Sequence, residues 1–121
     1  MHGLLHVLRK WHAEAKRLRS ESEQMRVDCL QVELASCFTL ASVAETEYTT
    51  GHHQMAERSL HHAEQGYMGL FRFLSSPKHL KGIKDEERRE LVSAREQLRL
   101  KLDELRQLIF RNRDTDSGTA V

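Results

Sequence analysis

Proline occurs once in this chain of 121 residues, cysteine twice, and aromatic residues make up only 6%. With a single proline, at position 77, almost nothing in the sequence interrupts a helix. The two cysteines do not staple the chain. Cys29 and Cys37 are eight residues apart, and on one helix that places them about 12 Å from each other, too far to bridge. They read as buried thiols of a reducing compartment. Long apolar runs are missing too. The opening residues MHGLLHVLRKWHAEA contain none, so no signal peptide is expected, and no segment approaches the length of a membrane span. The location implied is cytoplasmic. Nor is there an excess of one charge: 19 Lys and Arg stand against 18 Asp and Glu, for a net +1. That balance gives no overall pull toward nucleic acid or a membrane surface.

What the chain does contain is charge in abundance, at 31% of residues, with many Leu, Glu, Arg, Ala and Gln, all of which favour helices. Its length suits one domain, and folding buries roughly two-thirds of the surface of the extended chain. The charge is unevenly placed. Residues 1–19 carry Arg9, Lys10, Lys16, Arg17 and Arg19 against Glu14, a balance of +4. Residues 20–47 carry Arg26 against Glu21, Glu23, Asp28, Glu33, Glu45 and Glu47, a balance of −5. Opposed blocks of this kind set helix pairing or self-association more often than ligand choice.

The hydrophobic spacing predicts three long helices. In the first, Leu4, Leu8, Trp11, Ala15, Leu18, Ser22, Met25, Cys29 and Val32 alternate at intervals of four and three, which keeps them on one side of a helix. A second stripe follows in Leu30, Leu34, Cys37, Ala41, Ala44 and Tyr48. No Gly or Pro interrupts residues 4–50, so one helix of about 45 residues is possible, long for a globular domain. The weakest stretch is Ser20-Glu21-Ser22-Glu23, where a break would separate an N-terminal arm. Gly51 suits the left-handed position that ends a helix. The second helix, over 53–74, carries Ala56, Leu60, Ala63, Tyr67, Leu70 and Leu74. Gly66 and Gly69 each cost it about 1 kcal/mol relative to Ala, which points to another helix passing close by. Ser76 and Pro77 start a short turn that stops at Gly82. The last helix, over 85–111, has Asp85, Glu86 and Glu87 at its positive end and a stripe of Leu91, Ala94, Leu98, Leu102, Leu105 and Ile109. The tail at 114–121 is polar, without periodicity, and is expected to be mobile. The fold expected is all-α: an antiparallel three-helix bundle with a long first helix, one domain over 1–113 and a flexible tail.

Gly51 at a turn, Ala56 and Ala63 on the following helix, Leu60 between them, and Val43 and Ala44 on the preceding helix give residues 37–70 a pattern. It resembles a tetratricopeptide repeat, a helix hairpin of about 34 residues. Leu40 and Glu47 stand where that family favours aromatics, and Met68 occupies its proline position. No second copy is visible. The resemblance therefore implies one hairpin packed in the tetratricopeptide manner, not an array with a concave peptide-binding face. In layout the chain is also similar to three-helix microtubule-interacting-and-transport domains, a likeness of fold and not of function.

Candidate chemistry is sparse. Eight histidines are many for this length. His53, Glu57, His61 and Glu64 share one face of the second helix, donors suited to a transition metal, and His53-x-x-x-Glu57 resembles a ligand spacing of hemerythrin-like bundles. His2 and His6 form a further pair. A bundle site needs ligands converging from several helices, and the last helix has no histidine. A solvated polar face is the simpler account, and no cofactor is expected. Nucleophilic catalysis is not expected either, because both cysteines lie on apolar faces and no loop is long enough to build a pocket. A basic arm of Arg9, Lys10, Lys16, Arg17 and Arg19 with Trp11 could meet nucleic acid, and residues 78–113 carry eleven bases against seven acids. But acids interleave those bases, as with Glu87 beside Arg88 and Asp103 near Arg106 or Gln107, which fits a solvated face better than a phosphate track. Thr119-Ala120-Val121 has the form of a C-terminal sheet-edge ligand, at a length that chance supplies.

The reading that remains is a non-enzymatic interaction module. The arm at 4–19 either extends the first helix beyond the bundle or packs as a fourth piece; extended, it exposes Leu4, Leu8, Trp11, Ala15 and Leu18, and a monomer rarely leaves such a stripe in water. A second chain, or a partner helix, is expected to cover it as an antiparallel coiled pair, with Trp11 as anchor.

Overall fold

The computed structural model describes the backbone of residues 2–119, with side chains over 6–17 and 21–111. Its elements are α1 (His2–Thr49), α2 (His53–Ser75), the single turn α3 (Pro77–Leu80) and α4 (Asp85–Thr119). The fold is all-α among the described residues.

Helix α1 runs unbroken for 48 residues, about 70 Å at the helical rise. The Ser20–Glu23 stretch does not break it, since two of its four residues are Glu, a good helix former, and neither Gly nor Pro is present. Its end is set by chemistry local to Gly51, whose φ is 89°. There the Gly51 N–H donates to the Tyr48 carbonyl at 3.2 Å and the His52 N–H donates to the Glu47 carbonyl at 2.8 Å. Those two bonds satisfy carbonyls that the helix end would otherwise strand. Ser76 precedes Pro77 at the start of α3 without a side-chain capping bond, and Gly82, at φ 90°, turns the chain into α4. That last helix continues to Thr119, beyond the end expected at 111 and into the segment read as a tail. Residues 120–121 lie outside the described residues.

One core joins the three long helices. From α1 it takes Val27, Leu30, Leu34, Cys37, Ala41 and Ala44. From α2 it takes Ala56, Leu60, Ala63, Leu70 and Leu74, and from α4 Leu91, Leu98, Leu102, Leu105 and Ile109. Ile83 closes it beneath the turn before α4. Ala41, Ala44, Ala56 and Ala63 are fully buried, and their small side chains bring the α1 and α2 backbones close. Contacts across the elements give the register. The Tyr48 ring stacks on His53 at 4.7 Å, the Ser59 hydroxyl donates to Glu47 at 2.7 Å, and Cys37 lies over Gly66. On the other side Arg106 makes two bonds of 2.8 Å to the Glu64 carboxylate, Arg95 lies over the Phe71 ring, and Lys101 donates to Glu45.

The two glycines of α2 differ. A Cβ at Gly66 would collide with the Cys37 sulfur, whereas one at Gly69 would meet nothing within 4 Å. Close helix approach therefore explains Gly66 alone. Gly66→Ala is expected to lower stability: overpacking costs about 1–3 kcal/mol, against a gain of about 1 kcal/mol in helix propensity. In a Cys37→Ala background the clash is gone and the same change should raise the thermal midpoint. The reversal of sign in paired melting curves checks the contact.

One sequence expectation is overturned. An eighteen-residue window within α1 is apolar enough for a membrane span by length and composition alone, and a third of it is buried here. The stretch reads as more apolar than a bundle face because two stripes run along it side by side, one inward and one outward.

Candidate interaction surface

The bundle uses only the C-terminal half of α1. Val27 is the first buried residue among the described side chains of the helix, and every described side chain from 6 to 22 is exposed. The arm thus projects about 30 Å past the core. Its outer stripe is in solvent: Leu8 is 49% exposed and Trp11 67%, with Ala15 exposed between charged neighbours. Leu4 and Leu18 complete the predicted stripe in sequence, and their side chains lie outside the described residues. The stripe continues along the bundle, where Met25 is 66% and Val32 65% exposed.

Cys29 belongs to this outer stripe and is exposed, while Cys37 is buried. The expectation that both thiols are buried fails at Cys29 because two apolar stripes overlap between residues 25 and 34. The core takes Val27, Leu30 and Leu34 and leaves Met25, Cys29 and Val32 outside. Burial, with a smaller contribution from Glu33, pushes the Cys37 thiol above its ordinary pKa, so it stays protonated and unreactive near neutrality. In dilute native protein one thiol is expected to react with a disulfide reagent, and the second only on unfolding. Two fast equivalents would contradict this assignment.

Beside the outer stripe lies a groove of about 580 Å³ between α1 and α2. Met25, Cys29 and Glu33 line it from α1, and Gly66, Gly69 and Phe73 from α2. The missing side chain at Gly69 keeps it open.

The other candidates are not drawn together. Among the described residues no three His, Cys, Asp or Glu side chains converge as a metal site. His53 stacks on Tyr48, His61 is exposed, and Glu64 is engaged by Arg106. Glu57, half-buried on α2, joins no such cluster. Of the basic arm, Arg9, Lys10 and Lys16 are exposed, Arg17 pairs with Glu14, and the Arg19 side chain is outside the described residues. On α4 the acids interleave the bases, with different partners from those expected. Arg99 bridges Glu96 and Asp103, Arg88 reaches Asp85, and Arg106 crosses to α2. Side chains three or four apart face each other on a helix, and adjacent ones such as Glu87 and Arg88 do not.

Compared with protein-family models, with curated proteins and with solved structures, the chain has no match.

Proposed function

We propose that this chain is a non-enzymatic protein–protein interaction module, an antiparallel bundle of three long helices that self-associates through its N-terminal arm. The observation that carries the reading is the arm itself: a continuous helix whose stripe of Leu8, Trp11 and Ala15 stands in solvent, past the end of the core. Contiguous apolar surface of this kind marks an interface, and Trp is among the residues that dominate interface energies. The small-residue packing of Ala41, Ala44, Ala56 and Ala63 around the Gly51 turn supports a tetratricopeptide-like hairpin over 37–70, serving as the platform that holds the arm out. Sedimentation equilibrium tests the reading. A mass that rises from monomer to dimer over the micromolar range is expected; a strict monomer at high micromolar concentration overturns it.

A further inference from the structure

We infer that the α1/α2 groove is the seat for the arm of a second copy, in an antiparallel pairing whose two-fold axis passes α1 at Ser20. The inference rests on the self-association proposed above and adds its register. Three observations point to it.

The first is charge. The sign of α1 changes at Ser20, from the basic block ending at Arg19 to the acidic block beginning at Glu21. An antiparallel pair centred there lays each basic arm along the acidic half of its neighbour. A parallel pair, or an antiparallel one centred farther into the arm, sets base against base. The second is the stripe. Spacings of four and three reverse onto themselves in an antiparallel pair. With the axis at Ser20, Trp11 of one copy faces Cys29 of the other, and Ala15 faces Met25. Both of these layers join a large residue to a small one, and Leu8 then falls opposite Val32. The third is the groove. It opens directly beside Met25 and Cys29, so the incoming Trp11 ring meets the α2 wall at Gly69, where no described residue fills the space a side chain would take.

Two exposed positions make the register measurable. In an Ala15→Cys, Met25→Cys, Cys29→Ser variant, mild oxidation should give a covalent dimer whose peptide map shows residue 15 joined to residue 25. Within one helix those positions are about 15 Å apart, so that link forms only between copies. Links of 15 to 15 and 25 to 25, or no link in a protein that still sediments as a dimer, overturn the register and leave the self-association reading standing. A protein that is monomeric before oxidation overturns both. Gly69→Leu provides the second measurement. A Cβ there meets nothing within 4 Å among the described residues and leucine favours a helix over glycine, so the helical circular dichroism and thermal midpoint should hold or rise while the dimer dissociation constant increases at least tenfold. A variant that dimerises as tightly as the parent overturns the assignment of the groove.

Discussion

Trp11→Glu is expected to turn the associating protein into a monomer across the micromolar range. Each dimer carries two such anchors. At about 2 kcal/mol apiece, the threshold of an interface hot spot, their loss weakens the dissociation constant by about a thousandfold. The introduced carboxylate adds to this, because the antiparallel register places it beside the acidic stretch of the other chain. The fold should be untouched. Trp11 is 67% exposed and packs against none of the core, and surface substitutions away from special features stay within about 0.5 kcal/mol. Light scattering read beside a melting curve separates the two effects. A lost dimer with an unchanged midpoint is the expected pair, and a dimer retained at the parent affinity contradicts the role given to the arm.

Leu60→Ala is expected to have the opposite pattern, with a large loss of stability. Leu60 is fully buried in α2, one turn from Ala56 and close to Ala63. Neighbours this small cannot reach into the space that truncation leaves, so the cavity term should be near its full value. A loss of about 3–4 kcal/mol follows, about 10 °C or more in thermal midpoint for a domain of this size. Leu100→Ala is the comparison: Leu100 is 56% exposed on α4, and its truncation should move the midpoint by no more than about 2 °C. Chemical denaturation of the pair, at a concentration where self-association is absent, measures both.

The α2 helix shows how far periodicity reaches. Ala56, Leu60, Ala63, Leu70 and Leu74 form one stripe, with half-buried Tyr67 at its edge, and no rival stripe competes for that face. In α1 periodicity left the choice open. Two stripes overlap between residues 25 and 34, and each alone has helical spacing. Which one is buried depends on where α2 and α4 begin, a tertiary fact with no local signature. Cys29 is exposed rather than buried for that reason, and α1 takes on the length and composition of a membrane span. The cross-helix partners of Glu45, Glu47 and Glu64 were equally hidden, since Lys101, Ser59 and Arg106 lie twelve or more residues away in the chain. The groove had one visible trace, the pair Gly66 and Gly69. Sequence treated them alike, whereas only Gly66 answers to a close neighbour and Gly69 marks open space.

Acid should weaken the exposed Glu96–Arg99 pair on α4. The hydrogen bond from Arg99 holds the Glu96 carboxyl below its ordinary pKa. A depressed carboxyl contributes above its unfolded pKa, and the contribution fades as pH falls through the folded value. The buried faces carry no charged side chain among the described residues.

The chain has a single tryptophan, and it sits on the surface at issue. Its fluorescence therefore tests the central claim without any label. As protein concentration rises from nanomolar to high micromolar, the emission of Trp11 should shift to the blue and become shielded from acrylamide, along the same midpoint as dimer formation by sedimentation. Emission that stays that of a solvent-exposed indole, equally quenched at every concentration, would contradict the account.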